Sequence, residues 1–407
     1  MSAVRSKVKG WLVLPKATTD GAPLFWLATL VVSGLIMIGL VMVLSASSVM
    51  SINKHKSAWD VFNHQVMYAA LGAIAFYFCA RVDYRKWLRY SSYLLGLTVV
   101  SLILVVIPGI GRSVGGAQRW IGINSTISFQ PSEIAKFAVL VFAARMLAHR
   151  IDRIASWRQV LLPLILVVAF IFGLVMLEPD LGTSLEIAII ATGIMWAAGI
   201  PKRQLAALTG IQAVATGLLA VMSPYRMGRL LTFLHPDRDS FNRSYQIKQS
   251  LIALGNGGWT GVGLGNGHAK WLFLPAAHTD FIFAIIGEET GVIGAAIVLG
   301  LFGVFAVVGC KVALRAPDRQ GMLMAAGVTA WVCGQTLFNV ATVVGLAPVS
   351  GTPLPFISAG GSSLILLMGA VGVLANVARQ CVLTSTVPSI AHPAARRAHG
   401  LRVVPSA

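Results

Sequence analysis

The chain has 407 residues, of which 56% are hydrophobic and only 11% charged. A soluble domain usually carries about 25% charged residues, so a water-soluble globule is excluded and a chain that crosses a membrane several times is expected. The net charge of +18 comes from 32 Lys and Arg against 14 Asp and Glu, but these bases lie between apolar runs and no basic stretch carries interleaved aromatics, so no nucleic-acid partner is expected.

Residues 1–23 carry Arg5, Lys7, Lys9 and Lys16 around an apolar run too short for a signal-peptide core, which predicts a cytoplasmic tail and no cleaved leader. Ten apolar segments follow, at roughly 24–47, 63–81, 89–108, 132–149, 158–177, 181–199, 204–222, 281–310, 320–345 and 361–380. Each approaches the ~20 residues that a helix needs to cross the hydrocarbon, and in lipid such segments satisfy their backbone groups as helices. Most Lys and Arg fall in the N-tail, in the loops after spans two, four, six and eight, and in the C-tail. The positive-inside bias therefore places both termini in the cytoplasm. The expected architecture is an all-α polytopic membrane protein of about ten transmembrane helices. It comprises a tail at 1–23, a membrane domain at 24–380 and an Ala-, Pro-, Arg- and His-rich disordered tail at 381–407. Residues 223–280 form one large external loop between spans seven and eight, expected to fold as a cap with short amphipathic helices. Cys79, Cys310, Cys333 and Cys381 show no metal spacing, and neither a disulfide nor cysteine chemistry is expected.

The polar residues gather in the external loops. After span three, the glycines of GIGRSVGGAQRWIGIN turn the chain tightly, and Arg112 and Arg119 have no acidic neighbours in sequence. Such arginines suit a phosphate ligand, or equally a lipid headgroup. Glu133 and Lys136, three apart at the start of span four, share a helix face and either pair structurally or serve a function at membrane depth. In EPDLGTS, Glu178 and Asp180 could hold a divalent cation or orient a cationic side chain, and Asp180 is also placed to cap span six.

The long loop supplies Arg226 and Arg243 and ends in His278, Thr279 and Asp280 at the entrance to span eight. A partly desolvated Asp280 in a basic loop suits a general base; Thr279 or Asp280 could instead cap the helix. Glu288 and Glu289 follow in that helix, about 100° apart around it, so at most one is expected to face a given partner. The last external loop, 339–363, has no charge and is rich in Pro and Gly, with Ser358, Ser362 and Ser363 as hydroxyls. Irregular backbone of this kind at membrane depth predicts a cavity wall.

In this order, GAQRWI followed by FQPSEIAK, EPDLGTS, HTDFIFAIIGEETG and PLPFISAGGSS resemble the SEDS family (FtsW/RodA/SpoVE) across 24–380. The segment GVGLGNGHAKWLFLPAAHTD is closer to the division members than to the elongation members. The chain departs from common family usage at Ala276, Ala277 and Ala359. The resemblance implies a peptidoglycan glycosyltransferase at the outer face of the bacterial inner membrane, polymerising lipid II at the division septum. Asp280 matches the family's proposed catalytic base, and undecaprenyl diphosphate is the leaving group. Arg112, Arg119, Lys136, Arg226 and Arg243 are then the candidates to meet the diphosphate, with Glu133, His278, Thr279, Ser358 and Ser362 lining the substrate site. A divalent cation, Mg or Mn, could share the task, although no metal site is apparent. The implied partners are a class B penicillin-binding protein, which supplies transpeptidation, and other membrane proteins of the divisome.

Two other readings fit a polytopic chain of this kind. A flippase for the lipid-linked precursor would need polar groups reaching both leaflets, whereas most polar motifs here face outward. A non-catalytic division scaffold would tolerate Asp280→Asn.

Overall fold

The computed structural model describes residues 21–381, apart from 54, 56, 115–116, 123–127, 222–226, 229–230, 232, 234–243, 272 and 350. Every expected span is a helix. In chain order these are α1 (Gly21–Asn53), α2 (Asp60–Arg81), a short α3 (Tyr84–Arg89), α4 (Ser91–Val106) and α5 (Pro131–His149). After them come α6 (Leu162–Leu177), α7 (Leu181–Ala197), α8 (Lys202–Val221), α9 (Tyr245–Gly257), α10 (Ile282–Leu314), α11 (Arg319–Val343) and α12 (Gly361–Arg379). Among the described residues, five helices are both long and apolar enough to cross a membrane, and α4 and α7 are shorter apolar helices. Both terminal tails lie almost wholly outside the described residues.

Two features depart from a bundle of continuous helices, and the first corrects the all-α expectation. A three-stranded antiparallel sheet fills the segment between α4 and α5: β1 (Gly111–Val114), β2 (Ala117–Gly122) and β3 (Ser128–Phe129). Val114 pairs with Ala117 and Arg112 with Trp120. Two short strands flanking a Gly-Gly pair are a strong hairpin signal, one that a hydropathy reading passes over. The second feature is a break in α10, where Gly291 adopts φ 68° and ψ −170°. Only glycine enters this region without strain.

The break exposes helix groups that a neighbouring segment satisfies. The carbonyls of Glu288 and Glu289 accept from the N–H of Val262 and Gly263 at 3.0 and 3.1 Å, and the N–H of Val292 and Ile293 donate to Gly258 and Trp259 at 3.0 and 3.2 Å. Residues 258–263, just past α9, are thus inserted into the helix. Buried peptide groups must be paired, and this exchange pairs them.

Helix ends follow local chemistry. Asp180 and Asp318 cap α7 and α11 by accepting from the N–H of Thr183 and Gly321, and Pro131 stands in the first turn of α5, where its missing N–H costs nothing. The core runs through the middle of the bundle, where α2 and α12 pack closely: a Cβ on Gly361 would stand 2.6 Å from the Tyr68 ring. At the end of the bundle that carries α3, Tyr84 Oη and Arg85 both donate to Asp318, and Arg145 donates to the carbonyls of Leu88 and Arg89.

Candidate functional site

The polar motifs fold into three groups. The first joins the sheet to the turn between α6 and α7. Arg119 on β2 donates from Nε to the carbonyl of Glu178 at 3.0 Å and from Nη2 to the carbonyl of Pro179, with Nη1 3.9 Å from Asp180 Oδ1. Gln130 donates to Asp180 Oδ2 and to Ser132 Oγ, each at 2.9 Å. Asp180 therefore both caps α7 and orients a cation. Glu178 differs: its side chain is buried, and neither carboxylate oxygen has a hydrogen-bond partner. Burial pushes its pKa up to about 8, the Asp180 charge adding to the rise and Arg119 opposing it. Arg112, on the neighbouring strand, is exposed and lies across Gly122.

The second group lies within the bundle. Lys136 is fully buried between Glu133 on its own helix at 2.8 Å and Glu186 on α7 at 2.6 Å, with its ammonium 5.1 Å from the Trp331 ring centroid on α11. The Glu133–Lys136 pairing expected from their spacing is present, and Glu186 is the partner that sequence spacing could not supply. With two carboxylates on one ammonium, the lysine charge is already met.

The third group surrounds Asp280, where the uncharged 345–360 loop folds onto residues 278–280. Ser358 Oγ donates to the Thr279 carbonyl at 2.6 Å and accepts from the Leu354 N–H at 2.8 Å. The Ala359 N–H donates to the His278 carbonyl at 3.0 Å. Asn339 on α11 donates to the carbonyls of both Asp280 and Thr352 at 2.8 Å. The cap position of α10 is Phe281, with no side-chain capping bond, and the Thr279 hydroxyl turns back to the Ala276 carbonyl. Thr279 therefore spends its hydroxyl within its own turn. Asp280 is half-buried, and its Oδ2 stands 3.7 Å from where a Cβ on Gly351 would sit. Ser358 uses its hydroxyl inside the fold, whereas Ser362 is buried with its hydroxyl unpaired. Arg226 and Arg243 lie outside the described residues.

Sequence reasoning missed a clasp beside this group. Glu288 accepts from the N–H of His268 and Ala269, while Glu289 accepts from Ser45 Oγ, the Gly265 N–H and Lys270 Nζ, the last at 3.0 Å. Both glutamates thus face the same loop, contrary to the expectation that only one could face a given partner: residues 263–270 wrap round the helix and meet both directions. Lys270 also bonds Ser45 at 3.1 Å and the Gly265 carbonyl. The signal was a lone lysine in GLGNGHAK, and its partner lies beyond any helical spacing.

A mostly helical, multi-span membrane fold with polar loops gathered at Asp280 defines a class, and the comparisons identify it. Residues 25–382 match the FtsW, RodA and SpoVE family of cell cycle proteins, and the chain belongs to that family. It is 41% identical over 375 residues, 92% of this chain and 70% of the relative, to the probable peptidoglycan glycosyltransferase FtsW of Mycobacterium tuberculosis. Stage V sporulation protein E of Bacillus subtilis is 39% identical over 345 residues, 85% of this chain and 94% of that one. Among solved structures, a chain of a peptidoglycan synthase complex that coordinates polymerization and crosslinking matches with TM-score 0.71 and 27% identity, covering 87% of this chain and 97% of that one. The rod shape determining protein RodA of Thermus thermophilus matches with TM-score 0.65 and 25% identity, covering 91% and 98%.

Proposed function

We propose that this peptidoglycan glycosyltransferase polymerises lipid II at the outer face of the bacterial cytoplasmic membrane during septal wall synthesis, with Asp280 as its general base. The observation that carries the reading is the setting of Asp280. Asp280 is half-buried and stands at a seam between two loops, joined by the main-chain bond from Ala359 to His278 and by the Asn339 and Ser358 side chains. A carboxylate held in this way accepts a proton in a fixed direction.

In the reaction, Asp280 takes the proton from the acceptor sugar hydroxyl. That oxygen attacks the anomeric carbon of the donor glycan with inversion, the bond to the diphosphate oxygen breaks, and undecaprenyl diphosphate departs with the electron pair. Arg112 and Arg119 are the described cations on the sheet, and we assign them to the developing diphosphate charge. Because Lys136 is enclosed by Glu133 and Glu186, its part is to hold α5 against α7 beneath Arg119. Among the described residues no three potential ligand side chains converge. A Mg or Mn ion at this site would therefore take most of its ligands from the diphosphate and water, as Mg commonly does with phosphate substrates. The named relatives and the synthase complex support a division role and a class B penicillin-binding protein as partner.

The test is glycan polymerisation from purified lipid II by this protein with its cognate transpeptidase, comparing wild type with Asp280→Asn. Polymer from the wild type and none from the folded variant is the expected result. Normal polymerisation by the variant would remove Asp280 from the chemistry and favour the scaffold reading. Transfer of labelled precursor across liposomes without polymer would favour the flippase.

A further inference from the structure

One face of α11 carries a polar ladder that leads to the site. Trp331, Gln335 and Asn339 are spaced four residues apart, so they stack on one side of the helix. Trp331 Nε1 donates to Gln335 Oε1 at 3.0 Å, and Gln335 Nε2 donates to the Pro353 carbonyl at 2.9 Å. One turn on, Asn339 is 1% exposed and gives its amide hydrogens to the carbonyls of Asp280 and Thr352. A primary amide is suited to this bridging, because it presents two hydrogens from one nitrogen. A hydroxyl has one hydrogen, and an aspartate would set its own oxygens against both carbonyls.

We infer that Asn339 is a positioning residue for glycosyl transfer: it registers the main chain of Asp280 against residues 351–353 and so fixes where the carboxylate points. The inference rests on Asp280 being the base. Three observations support it. Asn339 is anchored in a spanning helix, whereas the two segments it joins are irregular loops. The bond to Thr352 brings Gly351 beside the carboxylate, where a Cβ would stand in van der Waals contact with Asp280 Oδ2 at 3.7 Å. Finally, Asn339 Oδ1 is buried without a hydrogen-bond partner. An unpaired buried oxygen is an exception that calls for an explanation, and the two bonds made by the Asn339 amide nitrogen supply one.

The experiment compares Asn339→Leu, Asn339→Ser and Asp280→Asn in lipid II polymerisation with the transpeptidase present, alongside thermal unfolding in detergent. Leu removes both donors at nearly constant shape, and Ser keeps one. A misplaced catalytic group chiefly lowers turnover. The expected result is that kcat falls roughly tenfold or more for Leu and less for Ser, while KM for lipid II stays close to wild type and the protein, although its unfolding temperature falls modestly for the two lost hydrogen bonds, remains folded at the assay temperature. If Asn339→Leu does not fold, the Ser variant carries the same comparison. Unchanged kcat in the Asn339 variants, with Asp280→Asn inactive, overturns the positioning role and leaves the base intact. A kcat loss matched by a rise in KM, or accounted for by the fraction of protein unfolded at the assay temperature, overturns it too, because the residue is then merely structural. Normal polymerisation by Asp280→Asn removes the base and the inference together.

Discussion

Among the described residues two buried lysines meet glutamates, Lys136 and Lys270, and they serve different ends. Lys136 sits inside the bundle between α5 and α7, one ammonium against two carboxylates. Lys270 sits in a loop, one ammonium against Glu289, with Ser45 and the Gly265 carbonyl completing its shell. In the first cluster the bond to Glu186 crosses from α5 to α7, so the cluster belongs to the fold. The second fastens irregular chain to a broken helix and to α1, ten residues before Asp280, and so belongs to the site. Buried ion pairs contribute little net stability, but losing one partner is costly because the other charge is stranded. What matters in each place is therefore what remains when the lysine is gone.

The largest effect should come from Lys136→Met, which leaves Glu133 and Glu186 buried with no cation. A stranded buried charge typically costs about 3–5 kcal/mol, and here there are two. We expect little folded protein, read as detergent-soluble monodisperse yield and unfolding temperature. Adding Glu186→Gln to Lys136→Met should recover part of the loss. If Lys136→Met folds normally, the cluster is not what joins α5 to α7.

Lys270→Met should be milder and local. Glu289 keeps Ser45 Oγ and the Gly265 N–H, so the loss should be near the cost of one charged hydrogen bond, about 1.5–3 kcal/mol. Amide hydrogen exchange should quicken across 258–270 and leave α5 and α7 protected. Lys270→Arg should restore most of that protection. Exchange that quickens throughout the protein would place Lys270 with Lys136, and the contrast between the two would collapse.

How much of this was legible in the sequence follows the range of the forces involved. A span announces itself in ~20 consecutive residues, so the helices were readable to within a few positions. Asp180 as a cap and Glu133 with Lys136 were readable because their partners lie one turn away. Glu186 against Lys136, Lys270 against Glu289, and Asn339 beneath Asp280 were not, since each contact joins segments brought together only by packing. The break at Gly291 was hidden for another reason: one glycine in an apolar helix is ordinarily tolerated, and only residues 258–263 turn it into an insertion point. Arg112 and Arg119 looked alike in sequence, yet Arg119 is bound to the 178–180 turn through main-chain carbonyls.

The smallest effect in this set is a pH dependence at Glu178, which sharpens the comparison by offering a buried carboxylate with no lysine at all. Its pKa rises from 4.5 in the ordinary state to about 8 in the fold, chiefly through burial. The folded protein thus holds a proton that the unfolded chain releases, and folding is favoured by protonation. The contribution is fully present below 4.5 and is lost as pH rises through about 8. Glu178→Gln imitates the protonated form at every pH. The unfolding temperature of wild type should therefore match that of Glu178→Gln in acid and fall progressively below it as pH rises through neutrality. Parallel curves would mean that Glu178 is ionised in the fold, with Arg119 leaving the carbonyls of residues 178 and 179 to serve as its counter-charge. In that case Glu178 would lie against a cation, as Glu133 and Glu289 do.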